Sequence, residues 1–251
     1  MMWRWKLLVA ALALAACTQT APSDTTASTP AGPIQKVQWR ALVAAGDDSI
    51  SVFDNAVDEM TRLLASHGVT RIDRFTSDPM MARGDRLIAT SDSMAAALAA
   101  KSPGPERACL VFLTSHGNRQ GLLLRDDLDH DRSLDPSSFG RMLEQGCGSA
   151  PTVAIVSGCY SGIFIGRATE APNRIILTAA RDDRTSFGCS AEEQFTYFDD
   201  CLFQAWPKAA TFAALYRATD SCVRAKENEL GVVHSEPQAS FGSQVANLAL
   251  P

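Results

Sequence analysis

The sequence predicts an α/β sandwich with a mostly parallel central sheet flanked by helices. Short apolar runs of strand length alternate with segments whose apolar residues recur at helical spacing. No repeat of solenoid length interrupts that alternation. Two side chains capable of acid-base or nucleophilic chemistry, His116 and Cys159, fall at the ends of two successive apolar runs. In open α/β sheets, functional groups gather at such strand ends.

The elements follow in order. WRALVAAG (39–46) is a short apolar run ending in glycine, the first strand. Beyond it, Phe53, Val57, Met60, Leu63 and Leu64 share one helical face, and Gly68 stops the helix. TRIDRF (70–75) reads as the second strand and DSMAAALAAK (92–101) as the second helix. CLVFLTSHG (109–117) is the third strand, with GLLLRDDL (121–128) a small hairpin beyond it. PSSFGRMLEQG (136–146) makes a helix, PTVAIVSG (151–158) the fourth strand and NRIILTAAR (173–181) the fifth. FTYFDDCLFQAW (195–206) and TFAALYRATDSCVRAKENEL (211–230) are two closing helices separated by Pro207. SEPQASFG (235–242) reads as a loop around Pro237, with no role assigned.

The chain has 251 residues, 46% hydrophobic and 20% charged, which suffices for one domain with a sizeable core, placed at 34–251. The net charge of −5, with no run of Lys and Arg, gives no electrostatic footprint for nucleic acid. The N-terminus, MMWRWKLLVAALALAAC (1–17), carries Arg4 and Lys6 ahead of an apolar run. It reads as a secretory signal, too short for a comfortable membrane span. Leu14-Ala15-Ala16-Cys17 resembles the lipobox of bacterial lipoproteins, which implies a lipid on Cys17; the alternative is an ordinary signal peptide. Thr18 in place of Asp then favours passage to the outer membrane, so the expected place is the cell envelope, lipid-anchored and facing the periplasm. Residues 18–33, TQTAPSDTTASTPAGP, have no large apolar side chain and read as a disordered tether. Six further cysteines meet an oxidising compartment. If Cys159 stays free, at least one more must too, and Cys109 with Cys147 is the expected pair, each lying just before an apolar strand.

A Cys/His pair at adjacent strand ends suits nucleophilic acyl transfer: the sulfur attacks a carbonyl and the imidazole protonates the leaving amine. Gly117 follows the histidine and Gly158 precedes the cysteine, so the backbone can approach a substrate and turn sharply. The N–H groups of Gly117 and Cys159 are then candidates for an oxyanion hole. Taken singly, Cys159 could be a small core residue and His116 a hydrogen-bonded loop residue.

The stretches Phe112-Leu113-Thr114-Ser115-His116-Gly117 and Ser157-Gly158-Cys159-Tyr160-Ser161-Gly162 resemble the two catalytic motifs of the legumain-like cysteine peptidases, relatives of asparaginyl endopeptidase and of the catalytic subunit of glycosylphosphatidylinositol transamidase. The 43 residues between His116 and Cys159 suit the histidine-first order of the caspase-type fold that this family shares. Thr185-Ser186-Phe187-Gly188-Cys189, with Thr196-Tyr197 and Asp200, is similar to the stretch that walls the family's specificity pocket. The resemblance implies substrate contacts for Ser186 and Asp200, and also for Tyr160, where the family tunes specificity. There are departures. Ser115 replaces the Asp usual before the histidine, and Val52, Asp54 and Asn55 replace the histidine-orienting Asn and the asparagine-reading Arg-His pair. Asp54 and Asp200 together suggest an acidic pocket for Arg or Lys before the scissile bond. Alternatively, Asp54 caps the first helix.

The alternating carboxylates of 127–135 lack the Gly and Glu of a calcium loop and read as a solvated loop. His67, His130 and His234 have no metal-ligand spacing, so neither metal nor cofactor is expected. The expected function is a cell-envelope cysteine endopeptidase acting on peptide or protein substrates through Cys159 and His116. The rivals are a transpeptidase using the same pair and a non-catalytic binding lipoprotein on a peptidase scaffold.

Overall fold

Four runs of apolar residues are buried along almost their whole length, as strands covered on both faces must be. They form the middle of a seven-stranded sheet. A computed structural model describes residues 1–2, 37–100, 107–125 and 131–251, with backbone alone at 125, 131 and 132. The chain divides into two units, Met1–Gln35 and Lys36–Pro251, and the second holds every element described. The expected signal, Cys17 and the tether lie outside the described residues, as does much of 127–135.

The elements in chain order are β1 (Gln38–Ala45), α1 (Val52–Ser66), β2 (Arg71–Thr76), β3 (Arg86–Ile88), α2 (Ser91–Ala99), β4 (Arg107–Thr114), β5 (Gly117–Asn118), β6 (Gly121–Arg125), β7 (Asp131–Leu134), α3 (Pro136–Cys147), β8 (Thr152–Ser157), a 3-10 turn (Ser161–Phe164), β9 (Arg174–Thr178), α4 (Tyr197–Ala205), α5 (Phe212–Leu230) and β10 (Gln238–Phe241). The sheet order is β10-β9-β8-β4-β1-β2-β3, and β5, β6 and β7 form a separate small antiparallel sheet. All neighbours in the large sheet are parallel except β10, which runs antiparallel to β9. The expected mostly parallel α/β sandwich is therefore the fold observed.

Period-two alternation sends successive side chains to opposite faces. Ala41, Val43, Leu110, Phe112, Val153 and Ile155 pack with α1, α4 and α5 in one core. Leu42, Ala44, Val111, Leu113, Ala154 and Val156 pack with α2 and α3 in the other. Helix ends are fixed locally. Thr90, Thr196 and Thr211 each accept a backbone N–H as N-caps. Asp135 caps α3 through Ser137 and Ser138, and the Ser138 hydroxyl helps hold its carboxyl below the usual range.

Among the described residues two disulfides form, Cys109–Cys147 as expected and Cys201–Cys222, leaving Cys159 and Cys189 free. One correction concerns 235–242. Part of this loop is the edge strand β10, whose four residues are all half-buried, so it has no alternation to read. A second is β3, a three-residue strand too short to stand out in the sequence.

Candidate active site

The register of the sheet builds the site. β4 and β8 are parallel neighbours, and their last paired residues are Thr114 and Ser157. His116 and Cys159 each lie two residues beyond that pair, so both leave the sheet at one height on adjacent strands, whose spacing is about 4.8 Å. The ladder continues one step further, with the Ser115 N–H donating to Ser157 O at 3.0 Å. Ser115, the departure from the family's Asp, is buried and donates its hydroxyl to Leu123 O at 2.7 Å. It ties the histidine's base to the β6 hairpin.

The two glycines are required for close approach. A Cβ on Gly117 would lie 2.2 Å from the carbonyl oxygen of Cys159, and one on Gly158 would lie 2.8 Å from Ser115 O. The sharp turn falls on Tyr160 instead, whose φ of 58° is left-handed. Its N–H donates to Arg184 O at 2.7 Å, and the Arg119 guanidinium stands 5.3 Å over its ring.

Around the sulfur, the Ser186 N–H donates to Cys159 Sγ at 3.3 Å, and the Ser186 Oγ lies at 3.7 Å. Cys159 and His116 are both partly exposed. Cys189, the other free thiol, is pushed up to about 12 by burial first and then by Cys159 and Asp199, so it stays protonated. Of the two free thiols among the described residues, Cys159 is the one that follows a strand paired with the strand leading to a histidine.

The Phe53 ring packs edge-on against the His116 ring, with centroids 5.1 Å apart and planes at 83°. Val52, where the family has its orienting Asn, is buried and carries no polar atom to do that work. In the sequence Phe53 is one apolar residue of a helical face, and only the packing reveals its contact. Asn55 donates to Gln194 O at 3.1 Å, fastening α1 to the loop that leads into α4.

The two acidic residues expected in a pocket are placed differently. Asp54 is 5% exposed, and Arg86 lies 3.4 Å from its carboxylate. Burial raises its pKa, with the Thr76 hydroxyl and Arg86 opposing. Its charge is answered inside the chain by Arg86. Neither does it cap α1, whose N-cap is Ser51. Asp200, in the first turn of α4, has Lys226 at 2.7 Å and accepts from Gln204 at 2.9 Å. Among the described residues, no group of three or more His, Cys, Asp or Glu side chains is arranged to hold a metal ion.

The fold has solved counterparts. Caspase-1 from Spodoptera frugiperda superposes with a TM-score of 0.57 at 12% identity, covering 82% of this chain and 87% of that one. A second structure, described as pro-sf-caspase-1, gives 0.59 at 11% identity, covering 82% and 92%. At such identities the likeness is one of fold. No match is found among curated proteins. The sequence pattern of the peptidase C13 family matches residues 84–228, a stretch that holds His116, Cys159, Ser186 and Asp200. More than half of the chain is covered, on a caspase-like fold, and the chain belongs to the peptidase C13 family, the legumain family of cysteine peptidases.

Proposed function

We propose that the chain is an endopeptidase in which Cys159 is the nucleophile and His116 its acid-base partner. The observation that carries this is the register: both residues lie two positions past the Thr114–Ser157 pair on adjacent parallel strands. The Cys159 sulfur, its proton passed to His116, adds to the scissile carbonyl carbon, and the C–N bond then breaks as His116 protonates the departing amine. His116 next takes a proton from water, whose oxygen adds to the thioester carbon; the C–S bond breaks, the carboxylic acid product leaves and the Cys159 sulfur is freed. The N–H groups of Gly117 and Cys159 hold the oxyanion, a role supported by the close packing of Gly117 on the Cys159 backbone.

Ser186, beside the sulfur, Tyr160 and Asp200 are proposed to contact the residue before the scissile bond. With Asp54 committed to Arg86, any preference for Arg or Lys rests on Asp200 alone. Its partner Lys226 is about one-third exposed, and a pair of this kind contributes about 0–1 kcal/mol, little enough for an incoming cation to displace.

The test is a peptide-library profile of the wild type beside Cys159→Ala. Cleavage should vanish in the variant, and retained cleavage would end the proposal. Product formed with hydroxylamine in place of water would identify transfer to amines as the main activity. A profile favouring Asn over Arg would remove the basic preference. The lipid anchor at Cys17 is proposed from the sequence, and Cys17→Ser should release the protein from membranes; a variant that still sediments with them would refute it.

A further inference from the structure

One acid beneath the site has no part in this scheme. Asp199 lies in the first turn of α4 and is fully buried. Thr114 donates its hydroxyl to Asp199 Oδ2 at 2.9 Å. The Asp199 N–H donates to Thr196 Oγ1 at 3.1 Å, and that hydroxyl is 3.4 Å from Ser157 Oγ. Asp199 Oδ1 has no hydrogen-bond partner among the described residues. Thr114 and Ser157 are the register partners two residues ahead of His116 and Cys159. A buried carboxyl is costly unless its hydrogen bonds are made, and here the Thr114 hydroxyl bonds one oxygen while the other has no partner among the described residues.

We infer that Asp199 is a positioning residue of the catalytic site: as an anion it gathers Thr114 and, with Thr196, Ser157, and so fixes the two strand ends that carry His116 and Cys159. This rests on the Cys159–His116 assignment made above. An ionised carboxylate only accepts, so every hydroxyl around it can donate. Adding a proton removes the charge that draws these hydroxyls in.

Burial pushes the Asp199 carboxyl up to about 6, with the Ser157, Thr114 and Thr196 hydroxyls opposing and Asp200 adding to the rise. The change of state therefore falls within a workable pH range. The titratable groups around it are few. Asp200 is on the same helix, paired with Lys226 of α5. Cys189 is a thiol held protonated. Asp54 of α1 is turned to Arg86. His116 and Cys159 are the residues it positions.

The test uses the full chain and two readouts across pH 5 to 8: kcat and KM on a peptide that the wild type cleaves and Cys159→Ala does not, and the rate of iodoacetamide labelling at Cys159. Asp199→Asn should lose the inflection near 6 in both profiles. Its kcat at neutral pH should fall about 10- to 100-fold with KM little changed, as expected for misplaced reacting groups. Thr114→Val removes one donor to the anion, so its inflection should move to higher pH; this variant serves if Asp199→Asn does not fold. An Asp199→Asn profile like that of the wild type, or an unmoved inflection in Thr114→Val, would overturn the inference. Cleavage by Cys159→Ala would instead overturn the dyad.

Discussion

Tyr160 carries the conformational strain of the site. A non-glycine residue in the left-handed region costs about 1–2 kcal/mol, and such residues persist where their surroundings over-determine them. Here the N–H bond to Arg184 O and the stack under Arg119 do so. Tyr160→Gly should therefore be more stable than Tyr160→Ala by about 1 kcal/mol in urea unfolding, because both lose the ring and only Ala keeps the strain. Asp199 acts on stability in the other direction. Its carboxyl goes from an ordinary 3.8 to about 6 on folding, so between those values the native state holds more protons than the unfolded one. This group's contribution to stability is thus greatest at low pH and falls as pH rises from 3.8 to about 6. Above that the cost is constant, on the order of 3 kcal/mol. Asp199→Asn should accordingly melt higher than the wild type at neutral pH while turning over more slowly. Differential scanning calorimetry at pH 5 and 8 would show the gap between the two proteins widen at the higher pH.

At the scale of elements, β4 and β8 bring His116 and Cys159, the proposed reacting pair, to one height, and Phe53 of α1 packs on the histidine. This edge-on contact of Phe53 with His116 is predicted to restrain the imidazole, since Val52 has no polar atom to do so. Phe53→Leu keeps the apolar face of α1 but leaves the ring free to tilt. It should cost about 1–2 kcal/mol of stability and about 10-fold in kcat/KM. An unchanged kcat/KM would mean that the histidine is held by something else. The motifs at β4 and β8 were legible in the sequence because each combines an apolar strand with glycines whose need is local. Phe53 was not, since an apolar residue at helical spacing looks the same whether it faces the core or a catalytic ring. Asp54 misled for a related reason: its partner Arg86 is 32 residues away, on a strand too short to recognise.

Across the folded domain, one disulfide lies in the layers on each side of the sheet. Cys109–Cys147 ties β4 to α3 on one side, and Cys201–Cys222 ties α4 to α5 on the other. A cross-link spanning 38 residues restricts the unfolded chain by about 3–4 kcal/mol. Replacing Cys109 and Cys147 together by Ala should cost stability of that order in urea. Iodoacetamide labelling of Cys159 should be unchanged, since the bond joins β4 far from its catalytic end. A change in labelling would show that the cross-link also sets the site.

The sequence by itself determined the α/β alternation, the order of histidine and cysteine, the two strands that end on them and the pairing of Cys109 with Cys147. These follow from periodicity and local motifs, which neighbouring residues encode. Only the tertiary structure decided that Phe53 packs on His116, that Asp54 is turned inward to Arg86, that Tyr160 carries the turn and that Asp199 lies beneath both strand ends. Each of these depends on which distant residues meet when two layers of helices close over a sheet, and hydrophobic pattern specifies the layers without specifying those meetings.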